Sequence, residues 1–544
     1  ELVVKQLPAQ ANTWVNRHLT YTHGYGLAAS PVNEVTREGL PRLFIKDLPP
    51  VSEAGLEKID RPEIYYGEMT DQYVLVKTTS KEFDFPKGDK NVYSVYQGRG
   101  GVPISSFIRR FLYAVNFQDP QIFFTNYLTS ESRIMYNRRI KGRVKAIAPF
   151  LSYDSDPYMV LSEGKLYWII DAYTTSDMYP YSTRSHSPFD RGILNYIRNA
   201  VKVTIDAYNG DVNFYRLDEQ DPIARVYNRI FPDLFKPFGD MPEDLKRHIR
   251  YPKDFFHIQA ATYTRYHMED VQVFYNQEDL WQLPDEMYGD SRQKMEPYYI
   301  IIKLPEGEKE EFLLMLPFTP SKKDNMIGWL AARSDLPEYG SLIVYKLPKE
   351  KLVYGPMQIE ARIDQQTDIS RELSLWDQKG SRVIRGNLLA IPVLDAFVYV
   401  EPIYLEAKQE DVPAPATGGQ PAGGLQKLKS KMGGASSGGD PTRAASLPEL
   451  KRVIVAVGNR VAMEQTLDLA LSRVLGKGTK QNVKTDVPGA TKFLETSDLG
   501  LLALEYYNRA KASLRQGDWA GYGENLEKLE EVLERIAGKR DEKK

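Results

Sequence analysis

The stretch VKVTIDAYNGDVNFY, Val201 to Tyr215, decides how the rest of the chain is read. Val201, Val203, Ile205 and Ala207 alternate with polar residues, Asn209-Gly210 interrupts them, and Val212 and Phe214 resume the alternation. A period of two belongs to a strand, and Asn-Gly tolerates the positive φ angles of a two-residue type I′ turn, so the spacing predicts a β-hairpin. Outward from it, between about residues 60 and 407, short apolar or alternating runs are punctuated by Gly, Pro, Asn and Asp. That pattern signals many strands joined by turns. Further strands are expected at Tyr73 to Thr78, Lys165 to Ala172, Tyr298 to Leu304, Phe312 to Pro317, Leu342 to Lys346 and Ala396 to Leu405. Helical spacing is found at Pro103 to Val115, where Ile104, Phe107, Ile108, Phe111 and Leu112 share a face, and around Ile193 to Ala200. Both helices are expected to cover the sheet. Without regular βαβ alternation the class is α+β, a strand-rich main body of mixed or antiparallel sheets with scattered helices.

Residues 408 to 448 shift to Gly, Pro, Ala and Ser, a composition that buries too little apolar surface to order itself. The β-branched run KRVIVAV (Lys451 to Val457) follows, then Gly458-Asn459 and a helix expected from about Met463 to Leu475. Residues 408 to 448 are therefore expected to be a flexible loop inserted between two strands of one sheet, within a body spanning 1 to 475. A polar linker, 476 to 496, leads to a C-terminal helical hairpin over 497 to 544. There Leu501, Leu504, Tyr507 and Leu514 form one stripe, Gly517-Asp518 a stop and an N-cap, and Trp519, Tyr522, Leu526, Leu529, Leu533 and Ile536 a second stripe. Glu524, Glu527, Glu530 and Glu531 interleave with Lys528 and Arg535 as a solvated face.

The 71 basic and 73 acidic residues are mixed along the chain, giving a net charge of -2, so no broad positive field invites nucleic acid. With no cysteine, disulfides, thiolate zinc sites, iron–sulfur clusters and a cysteine nucleophile are excluded. The six histidines show no i, i+4 pair that would set two metal ligands on one helical face. Glu1 is not an initiator methionine, and the opening segment lacks the pattern of a signal peptide, so a fragment or processed form is expected. No apolar run approaches the length of a membrane span; Leu388 to Val400, interrupted by Pro392 and Asp395, reads as one or two buried strands.

Five segments carry a resemblance: KLYWIIDAYTTSDMYPYS (Lys165 to Ser182), NYIRNAVKVTIDAYNGDVNFY (Asn195 to Tyr215), GPMQIEARIDQQTDIS (Gly355 to Ser370), LWDQKGSRVIRGNLLAIPV (Leu375 to Val393), and YVEPIYLEA with LPELKRVIVAVGNRVAM (Tyr399 to Ala407; Leu447 to Met463). Through them the chain resembles the uncharacterised protein family 0182 of the UPF series, large bacterial multi-pass membrane proteins. The resemblance implies an extracytoplasmic location at the cell membrane for this region, itself soluble, and a preceding transmembrane block as its first partner. It implies no reaction and no catalytic residue.

Candidate chemistry is sparse. Asp154, Asp156, Asp171 and Asp177 crowd one region and could act as a general acid and base pair, with calcium as the ion that Asp154 and Asp156 would hold. Asp156-Pro157 and Ser176-Asp177 also read as turns, where Asp is favoured for its local hydrogen bonds. His267, beside Tyr263, Tyr266, Glu269 and Asp270, could be a histidine base with a carboxylate orienter, although such a histidine is more often a packing residue. The Gly-rich turn Thr22-His23-Gly24-Tyr25-Gly26 lacks the context of a phosphate cradle. The 35 tyrosines, against 21 phenylalanines, suit half-buried sheet faces and, where exposed, glycan or polypeptide contacts. Trp519, Tyr522 and Leu526 are the candidate partner-docking residues. The leading expectation is a binding or assembly region with envelope proteins or glycans as partners and no cofactor; the alternative is a cell-envelope hydrolase or transferase using the clustered carboxylates.

Overall fold

A computed structural model describes residues 12–407, apart from positions 33, 37, 54, 190–191, 290, 305–306, 308, 349, 351, 379 and 394–395, together with 448–475, 506, 509 and 524–529. These divide into two compact units, one formed by residues up to 285 with 294–352, the other by 286–293 with the residues from 353 onward. The boundary near 352 falls inside the stretch read from sequence as one body, and the class is α+β as expected.

In the first unit, helices α1 (Phe107–Asn116) and α2 (Gln121–Phe124) precede a six-stranded sheet. Its strands are β1 (Ser152–Tyr153), β2 (Tyr158–Ser162), β3 (Lys165–Ser176), β4 (Tyr196–Asp206), β5 (Val212–Arg216) and β6 (Phe235–Pro237). The order is β1-β3-β4-β5-β6, with β2 also paired to β3; only β5 and β6 run parallel. The apolar positions of the decisive stretch lie on one face: Trp168 is opposite Ile205, Ile170 opposite Val203, Ala172 opposite Val201, and Phe214 opposite Val203. This face packs on Ile64, Tyr65, Tyr66, Val74, Val76 and Met135 in the largest apolar cluster. Polar ties reinforce the packing, since Trp168 Nε1 donates to the Tyr66 carbonyl at 3.0 Å and the Tyr65 and Tyr66 amides donate to the Ala207 carbonyl.

A second sheet holds β7 (Trp281–Gln282), β8 (Tyr298–Lys303), β9 (Glu310–Pro320), β10 (Gly328–Arg333) and β11 (Leu342–Lys346), in the order β7-β9-β10-β11 with β8 also on β9. Helix α3 (Lys253–Tyr266) buries Phe255, Phe256 and Ala260 against Leu314, Leu316 and Phe318 of β9 and against Tyr173 of β3. The six-stranded sheet is therefore covered on both faces. The second unit has helices α4 (Pro356–Gln365) and α5 (Thr367–Trp376), then β12 (Ser381–Arg385), β13 (Leu389–Val393), β14 (Ala396–Ala407), β15 (Glu449–Val457), β16 (Arg460–Glu464) and α6 (Leu467–Leu475). Its order is β12-β14-β15-β16, with β13 on β14. Strands β14 and β15 are antiparallel neighbours, Val398 opposite Val457, so the strands flanking 408–447 do belong to one sheet.

Four sequence expectations are corrected. Ile193 to Ala200 is not helical: Ile193–Leu194 pairs with Ser185–His186, and Tyr196 to Arg198 pair with β3 at Ser176, Thr175 and Thr174, pairings that override local helical spacing. The helix expected from Met463 begins at Leu467, since Gly458, at φ +55°, turns the chain back so that Arg460–Glu464 pairs with β15. The face of α1 does not cover the sheet; Phe107, Ile108, Phe111 and Leu112 are exposed. The β4–β5 hairpin is present, but its turn is not a two-residue one. The Asp206 carboxylate accepts from the amides of Tyr208 and Asn209 at 2.8 and 2.9 Å, which lengthens the connection, and only Gly210 takes a positive φ, +74°. The C-terminal hairpin, its linker and the 408–447 insertion lie outside the described residues except at 506, 509 and 524–529, where Lys528 pairs with Glu524 at 2.5 Å and Leu526 is exposed.

Gly210 is required twice over. Its φ is left-handed, and a Cβ there would stand 2.4 Å from the Tyr66 ring. Gly210→Ala is expected to cost about 2–4 kcal/mol through combined backbone strain and overpacking. Urea denaturation of the variant should show its first transition at clearly lower denaturant, and an unshifted transition would refute the role given to the turn.

Candidate functional site

Alternation ordinarily marks a strand with one solvated face, yet from Asn199 to Ile205 the polar positions of β4 are as deeply buried as the apolar ones. Lys202, fully buried, stands directly opposite Asp171 of β3 across the antiparallel ladder. Its ammonium donates to Asp171 Oδ1 and, at 2.9 Å, to the Arg250 carbonyl, and it lies 4.8 Å from the centre of the Tyr339 ring. Next to this pair the register shifts, Ala172 facing Val201 but Thr174 facing Arg198, so β4 carries one extra residue at Asn199–Ala200. Such a bulge re-aims a side chain. Here it lets Asn199 Nδ2 donate to Asp171 Oδ1 at 2.8 Å, on the same face as Lys202.

Asp154 joins from the other edge of β3, its amide donating to the Asp171 carbonyl at 3.0 Å. Its carboxylate accepts from the Tyr173 hydroxyl and, at 2.9 Å, from the Asp156 amide. Asp156 instead turns outward to Arg250, whose Nη2 donates to its Oδ2 at 2.8 Å. The Arg250 guanidinium lies 4.1 Å from the centre of the Tyr158 ring and 5.0 Å from that of Tyr299. Tyr339 closes the set, its hydroxyl donating to Asn199 Oδ1 at 3.2 Å. Burial, with Asp171 and Asp254 nearby, pushes the Asp154 carboxyl up to about 6. Burial also draws the Lys202 ammonium below its ordinary value, against the opposing pull of Asp171. The hydroxyls of Tyr158, Tyr173 and Tyr339 are held well above their ordinary range by desolvation, so they stay neutral, Tyr173 and Tyr339 as donors and Tyr158 accepting from the Arg250 amide at 3.3 Å.

This is a closed network. An open depression of about 600 Å³ lies at the turn end of the hairpin, lined by Arg99, Lys165, Asp206, Asp211 and Lys236 among others, and none of the network residues lines it. Asp177 is exposed in the bend after β3, away from the buried carboxylates. His267 belongs to a different set of contacts. Its ring stacks on Trp281 at 3.9 Å, Nδ1 meets the Tyr263 carbonyl at 3.1 Å, and the nearest carboxylate oxygen, of Asp279, is 3.8 Å from Nε2. Asp270 is taken up as the N-cap of the next helix, accepting from the amides of Gln272 and Val273. The two candidate groups, the clustered aspartates and the His267 set, thus keep separate contacts, and Asp154 and Asp156 point to different partners. Among the described residues no three His, Asp or Glu side chains form a group able to hold a metal ion.

The second unit has its own ionic cluster. Arg385 of β12 donates through Nε to Glu401 Oε1 at 2.5 Å, through Nη1 to Asp364 at 2.7 Å, and through Nη2 to Glu360. Glu360 and Glu401 are buried, while Asp364 is half-exposed. Two buried carboxylates share one guanidinium, so burial and the neighbouring Glu401 push Glu360 up to about 8. Burial alone would lower Arg385, but its hydrogen bonds to Glu401 and the surrounding carboxylates hold it above its ordinary value.

Compared with known proteins, residues 1–376 match the Uncharacterised protein family (UPF0182). The chain belongs to the UPF0182 family. It is 51% identical over 543 residues to a UPF0182 protein of Pelotomaculum thermopropionicum, covering 99% of this chain and 55% of that protein. It is 52% identical over 541 residues to one of Sulfurovum sp., covering 98% and 54%, and 48% identical over 550 residues to one of Cupriavidus necator, covering 100% and 55%. The chain spans about half the length of the UPF0182 proteins it matches. No solved structure matches it.

Sequence reading singled out Asp171 and Asp154 but missed Lys202, Asn199, Arg250 and Tyr339, and likewise Glu360, Arg385 and Glu401. One signal was within reach, a lysine in the middle of an apolar UPF0182 strand. Lys202→Met leaves Asp171 buried without its countercharge and should cost about 3–5 kcal/mol, whereas Asp171→Leu with Lys202→Met should recover most of that loss. Denaturant melts of the two variants decide it, and equal destabilisation in both would contradict the pairing. Asp154 supplies a pH signature. Its folded value of about 6 lies above the ordinary 3.8, so its stabilising contribution is complete below about pH 4 and is lost as the pH rises from there through 6, by roughly 2–3 kcal/mol in all. Asp154→Asn keeps the shape and should gain on the unchanged chain by about that amount between pH 4 and 7.5; parallel curves would contradict the assignment.

Proposed function

We propose that this chain is an extracytoplasmic binding or assembly region of a multi-pass bacterial membrane protein, acting on envelope proteins or glycans and packing with a transmembrane portion of the same protein. The observation that carries a binding role over catalysis is the closure of the Asp171–Lys202 network. Its acids are held by lysine, asparagine, tyrosine and backbone donors beneath a roof of aromatic rings. A hydrolase or transferase needs an acid and a base that reach a substrate in an open cleft. Here His267, Asp154 and Asp171 are all buried, and His267 stands apart from the two acids. Membership in UPF0182, and relatives nearly twice as long as the chain, support a larger parent. Among the described residues no helix is long and apolar enough to cross a membrane.

The chain has no cysteine, which makes sidedness directly measurable. In a cysteine-free full-length family member expressed in its host, a single cysteine placed at the equivalent of the exposed Tyr181 should react with a membrane-impermeant maleimide in intact cells. Labelling only after the cells are broken would place the region in the cytoplasm and overturn the proposal.

A further inference from the structure

Helix α1 presents an apolar face that its own unit leaves uncovered. Phe107, Ile108, Phe111, Leu112 and Val115 are 71, 68, 53, 58 and 60% exposed, while Ala114 is the only buried residue of the helix. Positions i, i+1, i+4, i+5 and i+8 fall on one stripe of a helix with 3.6 residues per turn. The platform extends onto α2 through Phe124, itself 75% exposed, and is braced from behind by Phe123, whose ring meets those of Phe107 and Phe124 edge-on at 4.8 and 5.2 Å. A contiguous exposed patch of this kind marks a partner or membrane surface.

Charge identifies the partner. From Gly101 to Gln118 there is no acidic residue, and Arg109 and Arg110 flank the apolar stripe. Both arginines are tethered along the start of the helix, Arg109 Nη1 to the Pro103 carbonyl at 3.2 Å and Arg110 Nε to the Ile104 carbonyl at 3.1 Å. The next acid in sequence, Asp119, is turned inward, accepting from Trp14 Nε1 at 2.8 Å and from the Tyr73 hydroxyl. A protein partner would be expected to find hydrogen-bonding groups dispersed through the patch, about one per 100–200 Å² of interface. The α1 stripe has none between its five apolar side chains. An uninterrupted aromatic and aliphatic face bordered by arginine is the composition of a helix that lies in the plane of a lipid interface.

We infer that α1 and Phe124 form a membrane-seating face that rests in the headgroup region of an anionic bilayer. The inference relies on the membrane-associated reading above only for the proximity of a bilayer.

The test is flotation of the 544-residue chain with vesicles of equimolar phosphatidylglycerol and phosphatidylcholine, beside vesicles of phosphatidylcholine alone. The chain should float with the anionic vesicles. Ile108→Asp with Phe111→Asp should abolish flotation without lowering the melting temperature, because both side chains are exposed. Arg109→Gln with Arg110→Gln should weaken binding to anionic vesicles roughly tenfold or more, and leave binding to neutral vesicles as it was. Failure of the unaltered chain to float, or flotation of the aspartate variant to the same extent, overturns the inference. So does a concentration-dependent dimer that the aspartate variant breaks, since a second copy would then cover the face. Vesicle binding reports on this face alone and maleimide labelling on the side of the membrane alone, so either reading can fail without the other.

Discussion

A charged pair sealed inside a sheet imposes conditions on everything around it. Once Asp171 and Lys202 face each other across β3 and β4, away from water, each spare lone pair and proton needs a partner, because an unpaired buried charge costs several kcal/mol. The bulge that aims Asn199, the Arg250 carbonyl that takes a second lysine proton, and the Tyr339 ring over the ammonium all answer that need. They come from distant parts of the first unit, so the pair fixes how the segment around Arg250 and the β10–β11 connection carrying Tyr339 settle on the first sheet. An apolar pair of the same size would fill the space but would not specify which carbonyl or amide must come to it.

The second unit repeats the principle with a different imbalance. Arg385 meets two buried glutamates, and a proton retained on Glu360 near neutral pH brings the buried charges closer to balance. The segments that carry the family resemblance meet at these two places. Asp171 comes from one string, Asn199 and Lys202 from the next, and Glu360, Arg385 and Glu401 from three others. The strings are separated in sequence but joined by ion pairs and hydrogen bonds within each unit.

Much of the fold was legible because strand periodicity is local. The Val201 to Tyr215 hairpin, the runs around Lys165, Leu342 and Ala396, and the pairing of the strands flanking the Gly-rich segment all follow from alternation and turn residues. What was not legible depends on the third dimension. Ile193 to Ala200 has helical spacing in isolation but lies beside β3, which supplies backbone partners that no local pattern reveals. Asp206, a polar position in a strand, lengthens the turn by capping two amides. The site was half legible for the same reason. Clustered aspartates are visible in a string, whereas their neutralisation by Lys202 requires the register of two strands. The apolar stripe of α1 was read correctly as a stripe and assigned wrongly to the core, since amphipathicity says that a face is apolar and not what covers it.

The antiparallel pairing of β14 with β15 has a consequence for how this family can vary and be engineered. Tyr404 faces Leu450 and Leu405 faces Glu449, so the chain leaves the sheet and re-enters it at the same end of two neighbouring strands whatever is placed in between. The entropy of closing such an excursion grows only with the logarithm of its length, about 0.6 kcal/mol for each doubling. The ladder is thus indifferent to added chain at this point, which makes it a natural port for length polymorphism, and a place where an epitope or a whole reporter domain can be spliced into the second unit with its strand register intact.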